Sequence, residues 1–437
     1  MRWILRAAGA LAVLLSMVPV SAAVVPDADI RAILSERIGG QKGVGIVVGI
    51  IDPHGQRIVS AGGFDGKTLF EIGSVAKVFT ALLLSDMVER GEVKLNDRAA
   101  HDLPITFAEL ATHTSGLPFM PPVDVATRAQ MYEYLREQPR RGNAAWDYSN
   151  LGYWLLGEAL ATRTHTDFDR LLRRRILDPL QLRETTAHLT PAQATRLAPG
   201  YDASLHPAAP LSSMPAYSMM SAAGMGWYSS ADDLLRFLAY VLGLRRSPLQ
   251  PAMAAMLDTT RAASSPRSRQ ALGWVIEGDG GDRLIVHDGG TLGYAACVAW
   301  DPTHRTGVVV LSNQFGDVGD IARHLLRPSI PLHKPTPAKP KEITLPPAML
   351  ALYPGRYEAP GEGVFVIELT DGHLTIEAPS DWGLPKLQLH PASDREFFAA
   401  ELPLRVTFET KDGHVAEMIV YPPRGQGGVA AKRASPR

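Results

Sequence analysis

Apolar and polar positions follow two different periods along this chain, and the change of period marks its organisation. "VGIVVGIIDPHGQRIVSAGGF" (Val44 to Phe64) predicts two strands joined by an Asp-Pro-His-Gly turn. Just ahead, "DADIRAILSERIGG" predicts a short helix closed by Gly39 and Gly40. The pattern then turns helical, with predicted helices around 74–90, 124–137, 150–163 and 167–177. Another starts at Ser230, where Asp233 three residues on makes a capping box. Strand signals return between Ala271 and Ser312 in "ALGWVIEG", "RLIVHD", "GYAACVAWDP" and "TGVVVLS", and a helical segment around 318–326 follows. Strands at both ends with helices inserted between them predict one antiparallel sheet flanked by helices, an α+β or mixed α/β architecture.

"PSIPLHKPTPAKPKEITLPP" is proline-rich and polar, the composition of a stiff extended linker. Beyond it, "GVFVIELTDGHLTIEA", "KLQLHPAS" and "LRVTFETKDGHVAEMIVY" alternate over short lengths with Gly and Asp turns, predicting a small antiparallel barrel or sandwich. The tail "GQGGVAAKRASPR" is expected to be disordered. The expected division is therefore a leader at 1–23, a main domain at 24–330, a linker at 331–344, an all-β domain at 345–424 and a tail at 425–437.

Composition narrows the function by exclusion. A chain of 437 residues with 46% hydrophobic and 20% charged residues is that of an ordinary folded protein. A formal net charge of −1 points to neither nucleic acid nor a membrane surface as a partner. "MRWILRAAGALAVLLSMVPVSAA" has two arginines, an apolar core from Ala7 to Val20 and small residues up to Ala23, the layout of a secretory signal peptide. The protein is accordingly expected to be exported, periplasmic or secreted, without stable membrane insertion. Its single cysteine, Cys297, permits no intramolecular disulfide and reads as a small buried strand residue.

The chemistry is concentrated in "FEIGSVAKVFTALLL" (Phe70 to Leu84). Between Val75 and Leu84 the only polar side chains are Lys77 and Thr80, and a helix apolar on nearly every side is normally buried. Ser74, Lys77 and Thr80 then form one narrow polar stripe. In one reading Ser74 caps the helix and Lys77 snorkels to water. Against it, a cation in the first turn opposes the helix dipole at a cost of about 0.3–1 kcal/mol. In the other reading the dipole and burial lower the lysine pKa from about 10.4, so that its amine takes the serine proton. The same helix N-terminus offers the Ser74 N–H to an oxyanion. The pair alone leaves both readings open.

Two further stretches carry candidates. "WDYSNLGYWLLGEAL" sets Tyr148 and Asn150 before an apolar helix, either as packing and capping groups or as a proton-shuttling phenol and a carbonyl-binding amide. "LIVHDGGTLGY" ends a strand in His287-Asp288-Gly289-Gly290, either an exposed hairpin turn or a strand edge open to a peptide-like substrate. Ser-x-x-Lys, Tyr-x-Asn and His-x-Gly each occur once in the chain.

In their order and separations the three motifs resemble those of the serine β-lactamase and penicillin-binding protein superfamily. The resemblance is to the branch of class C β-lactamases, D-alanyl-D-alanine carboxypeptidases, D-aminopeptidases and esterases. It covers about Asp29 to Arg327 and is supported by "LATHTSGLP" and "GMGWYSSADDLLRF". It implies a β-lactamase-like sheet flanked by helices and a serine hydrolase working through an acyl-enzyme. Ser74 would be the nucleophile and Lys77 its proton acceptor, with Tyr148 sharing the base role and activating water. Asn150 would bind the substrate amide or hold Lys77, His287 would contact substrate or Tyr148, and the N–H groups of Ser74 and Gly290, beside Gly289, would form the oxyanion hole. The division of the base role between Lys77 and Tyr148 stays open. The barrel resembles the accessory domains of several peptidase-like members.

One departure matters: the third motif is His-Asp-Gly where class C β-lactamases usually have Lys-Thr-Gly. An imidazole grips a substrate carboxylate less firmly than a permanent cation. The expected substrates are therefore D-amino-acid peptides of the cell wall, β-lactams or small esters, with no cofactor and no metal. The alternatives are a carboxylesterase of the same fold and a penicillin-recognising sensor that acylates without turnover. "AGGFDGKT" (Ala61 to Thr68) is not a phosphate loop, because a strand-like segment follows it, and no Gly-x-Ser-x-Gly elbow is present. His113 in "THTSGL" has no partner at metal spacing and reads as a structural residue of the cleft wall.

Overall fold

The computed structural model describes residues 25–434 except 101–102, 123–124, 126, 139–144, 203–204, 210–212, 214, 334–341, 380–381, 383, 385, 400–403, 412–413 and 422–427. The expected leader, most of the proline-rich linker and the extreme tail lie outside the described residues. No helix among the described residues is long and apolar enough to cross a membrane.

The first strands are β1 (Ile46–Asp52), β2 (Gly55–Ala61), β3 (Leu69–Glu71), β4 (Arg98–Ala100), β5 (Leu103–Thr106) and β6 (Tyr228–Ser230). They are followed by β7 (Arg261–Ala262), β8 (Ser268–Gln270), β9 (Val275–Glu277), β10 (Leu284–Gly290), β11 (Ala295–Asp301) and β12 (Thr306–Ser312). Eight of them make one sheet in the order β2-β1-β12-β11-β10-β9-β8-β7. Its strand pairs are antiparallel, so the two ends of the main domain meet at the β1–β12 pair. This is the antiparallel sheet that the strand signals predict.

Strand alternation builds a core on each face of this sheet. Ile46, Val48 and Ile50 of β1 join Cys297 and Val310 against helix α1 (Asp27–Ile38) and the helix Gly319–Leu326. Val47 and Ile51, with Val298 and Leu311, face the larger core, which holds helix α2 (Ala76–Glu89) and the helices Asn150–Thr164 and Ala231–Val241. Arg37 of α1 pairs with the buried Asp320 across the smaller core, one N–O contact measuring 3.0 Å. Ser230 does cap its helix, accepting the Asp233 N–H at 3.2 Å. The second half of the predicted capping box is replaced: Asp233 turns its carboxylate to the N–H groups of Glu184 and Thr185, at 2.7 and 3.0 Å.

The C-terminal unit is a closed barrel of β13 (Gly355–Ala359), β14 (Gly363–Thr370), β15 (His373–Glu377), β16 (Leu387–Pro391), β17 (Glu396–Ala399), β18 (Arg405–Lys411), β19 (His414–Tyr421) and β20 (Val429–Arg433). Tyr353, Phe397 and Phe408 stack edge to face and tilted inside it, with ring centroids 4.6–5.5 Å apart. Leu292, in the turn between β10 and β11, packs against this core. The tail departs from expectation, because residues 429–433 form β20 and pair with β13 and β19. Its composition is small and polar, but Ala431 fills the barrel interior and the ladder supplies the backbone partners. A chain ending at Tyr421 should leave β13 and β19 as open edges. Four residue pairs join β20 to β19, so at roughly 1 kcal/mol per hydrogen bond the barrel loses about 3–5 kcal/mol, read as a lowered urea midpoint and new tryptic cuts after 345.

Candidate active site

The site lies where α2 begins, on the larger-core side of the sheet. A short 3-10 turn, Gly73–Val75, runs directly into α2, so Ser74 leads the helix without capping it. Lys77 is 0% exposed and does not snorkel. Its Nζ lies 3.0 Å from Ser74 Oγ, 2.7 Å from Asn150 Oδ1 and 2.5 Å from the Ala223 carbonyl oxygen. Two of these neighbours are carbonyl oxygens that only accept. A neutral amine spends both of its N–H groups on them, and its lone pair then has the Ser74 hydroxyl to face. An ammonium finds all three of its protons matched. The same three contacts therefore hold the lysine in either state, which is what a group that takes up and returns a proton requires.

Backbone crowding fixes this geometry. Gly73 has φ +49°, and a Cβ there would stand 2.8 Å from the Gly290 carbonyl oxygen. A Cβ on Gly289 would meet the Ile72 carbonyl at 2.2 Å, and one on Gly224 (φ +98°) the Gly73 carbonyl at 2.3 Å. The Ser74 turn is thus wedged between the end of β10 and the loop around 224, and three glycines permit it. Thr80 extends the polar stripe by donating to the Ala222 carbonyl at 2.8 Å.

The second motif enters from the helix Asn150–Thr164. Ser149 is its cap, accepting the Gly152 N–H at 2.8 Å, while its hydroxyl donates to the Pro118 carbonyl at 2.7 Å. That leaves Asn150, the first helical residue, to face Lys77, with its amide nitrogen 3.1 Å from Met120 Sδ. The half-buried Tyr148 ring has its centroid 5.1 Å from Lys77 Nζ, and Phe119 and Trp146 stand beside it at 6.1 and 6.4 Å.

The third motif follows the period of β10. Ile285, His287 and Gly289 face the site, whereas Asp288 faces the other side and pairs with Arg323 at 2.8 Å. His287 is buried, and its Nδ1 lies 2.6 Å from the Gly273 carbonyl, which fixes that nitrogen as the donor. Gly273 in turn lies against α2 at Val78 and Lys77. Ser74, Lys77, Tyr148, Asn150, His287, Gly289 and Gly290 are thus gathered at one place from three distant segments. Cys297 is fully buried, and burial pushes its thiol well above the usual range, away from nucleophilic use.

Two residues in the site carried no readable signal as site residues in the sequence. His113, read as cleft wall, stacks on Tyr148 with ring centroids 4.2 Å apart. Glu71 ends β3 and is 1% exposed. Burial pushes its carboxyl up from 4.5 to about 7, against the opposing pull of the Thr291 hydroxyl and the Gly226 N–H. Neither closes an ordinary hydrogen bond onto its oxygens, which have no partner among the described residues. A sequence shows only a glutamate ending a strand, and burial of its carboxylate is a property of the packed site.

The class that this arrangement defines is a β-lactamase-fold serine hydrolase. The chain belongs to the beta-lactamase family, whose model matches residues 30–328. A domain of unknown function, DUF3471, matches residues 339–429. Penicillin-binding protein 4* of Bacillus subtilis (strain 168) is 25% identical over 391 residues, covering 81% of this chain and 86% of that protein. D-alanyl-D-alanine-carboxypeptidase/endopeptidase AmpH of Escherichia coli (strain K12) is 28% identical over 281 residues, covering 56% of this chain and 70% of that protein. The chain spans about half the length, 55% and 46%, of two further relatives. A class C beta-lactamase from Rhodobacter sphaeroides has the same fold, with a TM-score of 0.61 at 24% identity over 69% of this chain and 99% of that one.

Glu71 makes the fold pH-dependent in a definite direction. Its folded pKa, about 7, lies above the unfolded value of 4.5, so its contribution is fully present below pH 4.5 and is lost as pH rises through 7. Glu71→Gln, which cannot ionise, should therefore gain on the parent by about 2–3 kcal/mol between pH 4.5 and pH 8. Urea melts of both proteins at the two pH values measure this, and parallel curves would refute it.

Proposed function

We propose that the protein is an exported serine hydrolase acting through an acyl-enzyme on amide, lactam or ester carbonyls. The preferred substrates are D-amino-acid peptides of the cell wall and β-lactams. The observation that carries this reading is Lys77, fully buried and held by two carbonyl acceptors with its nitrogen 3.0 Å from Ser74 Oγ. Export rests on the N-terminal pattern of charge, apolar core and small residues.

In the proposed reaction Ser74 Oγ attacks the carbonyl carbon while its proton passes to Lys77, with Tyr148 sharing the base role. The N–H groups of Ser74 and Gly290 receive the developing oxyanion. Collapse breaks the bond to the amine or alkoxide, which takes up the proton, and Ser74 is left acylated. Water, deprotonated through Tyr148, then releases the acid and restores the serine. Asn150 holds Lys77 and offers its amide to the substrate.

A second reading, a carboxylesterase, is favoured by the third motif. His287 spends Nδ1 on the Gly273 carbonyl and Asp288 is turned away to Arg323, so this stretch offers a substrate carboxylate no permanent cation. The aromatic rings of Phe119, Trp146 and Tyr148 along one wall suit an apolar acyl group.

Purified protein and Ser74→Ala, compared on nitrocefin, a p-nitrophenyl ester and a D-Ala-D-Ala peptide, separate these readings. The variant should lose about 10,000-fold or more in kcat on the preferred substrate, and Lys77→Met about 100- to 10,000-fold. A wild type that turns over none of the three and takes up no β-lactam covalently overturns the proposal. Equal turnover by Ser74→Ala overturns the assignment of the nucleophile.

A further inference from the structure

His113 is 1% exposed, and its ring lies between the tyrosine rings of the second motif and its helix, 4.2 Å from Tyr148 at 29° and 5.0 Å from Tyr153 at 36°. Its Nδ1 accepts the Ser149 N–H at 3.1 Å, and its own carbonyl accepts the Asp147 N–H at 2.8 Å. One residue thus grips the Asp147–Asn150 turn from both sides of Tyr148 and also packs on the ring. Two features here cost stability. His113 sits in the left-handed region with φ 56°, where a residue with a side chain is strained. Its Nε2 is buried with no hydrogen-bond partner among the described residues. A cleft-wall residue with no other task would need neither.

We propose that His113 is the positioning residue of Tyr148, a neutral imidazole that fixes the phenol ring by stacking and the turn beneath it by accepting the Ser149 N–H. The proposal rests on the role given to Tyr148 under the proposed function. Neutrality follows from the geometry: with Nδ1 accepting, the ring's one proton is on Nε2, and a second proton would confront the Ser149 N–H. Burial, then the charges of Lys77 and His287, hold its pKa well below the ordinary value. An aromatic ring is thereby kept against the tyrosine without a second cation beside Lys77. A phenylalanine would supply the ring without the acceptor, and an asparagine the acceptor without the ring.

The test uses the full chain, with the substrate on which wild type is fastest and with a fluorescent penicillin that reports acylation of Ser74. His113→Phe should lower kcat by about 10- to 100-fold with KM changed less than about threefold, because a displaced proton carrier slows chemistry more than binding. It should also move the limb of the pH–rate profile that Tyr148→Phe abolishes. Introduced together with Tyr148→Phe, it should cost nothing further, since both act through one phenol. His113→Asn, whose side chain tolerates left-handed backbone, serves the same cycle if His113→Phe does not fold. A folded variant with kcat and pH profile within about twofold of wild type overturns the proposal, as do losses that multiply with that of Tyr148→Phe. Tyr148→Phe as fast as wild type removes the tyrosine's role and that of His113 with it. Absence of both turnover and labelling in wild type strikes instead at the proposed function.

Discussion

The site depends on keeping the Lys77 amine buried. A lysine at zero exposure on an apolar helix is tolerated only if its protons find partners. Asn150 Oδ1 and the Ala223 carbonyl supply them, from a helix and a loop more than seventy residues away in either case. Much of the surrounding architecture is arranged to bring those two oxygens to one point. The loop at 222–224 is fixed by Thr80 below and by Gly224 against the Ser74 turn. The helix Asn150–Thr164 is fixed at its start by Ser149, whose three hydrogen bonds to Gly152, Pro118 and His113 leave Asn150 one way to point.

The sheet contributes through its period of two. Because β10 alternates, His287 and Gly289 face the lysine while Asp288 faces Arg323 behind the sheet. Gly289 then lets the Ile72 carbonyl pass, which brings the Ser74 turn against the strand end. This contact sets the Ser74 turn against Gly290, the residue whose N–H is proposed to act beside that of Ser74. Electrostatics follow from the same crowding. His113 is driven neutral, and the Glu71 carboxyl, three residues before the serine, is pushed up to about 7, both chiefly by burial. Burial of Lys77 and His113 strengthens the polar contacts that each of them makes.

The sheet, the helix positions and the barrel were legible because each is written in local periodicity and turn chemistry. Ser74 and Lys77 were legible as an anomaly, a cation in the first turn of an otherwise apolar helix. Tyr148, Asn150 and His287 were legible only through the spacing of motifs that resemble a known family. The tail was misread because "VAAKR" carries one sizeable apolar side chain, Val429, followed by small and charged residues. It is held as β20 by backbone partners on β13 and β19, and backbone pairing leaves no mark in side-chain composition. His113 and Glu71 looked ordinary for the same kind of reason, since the features that set them apart are distances to residues far along the chain.

By itself the sequence determined which segments are helix or strand and which helix is buried, because periods of 3.6 and 2 record the face each segment must hide. It also determined that a serine and a lysine share one face of that helix. Only the tertiary structure decided that Lys77 meets two carbonyl oxygens and a hydroxyl, and that His287 gives one nitrogen to Gly273. It alone decided that His113 lies flat on Tyr148. Apart from the Ser74 hydroxyl, those partners lie 14 to 146 residues from one another along the chain, and their contacts follow from how the sheet and helices close on one another rather than from any local pattern.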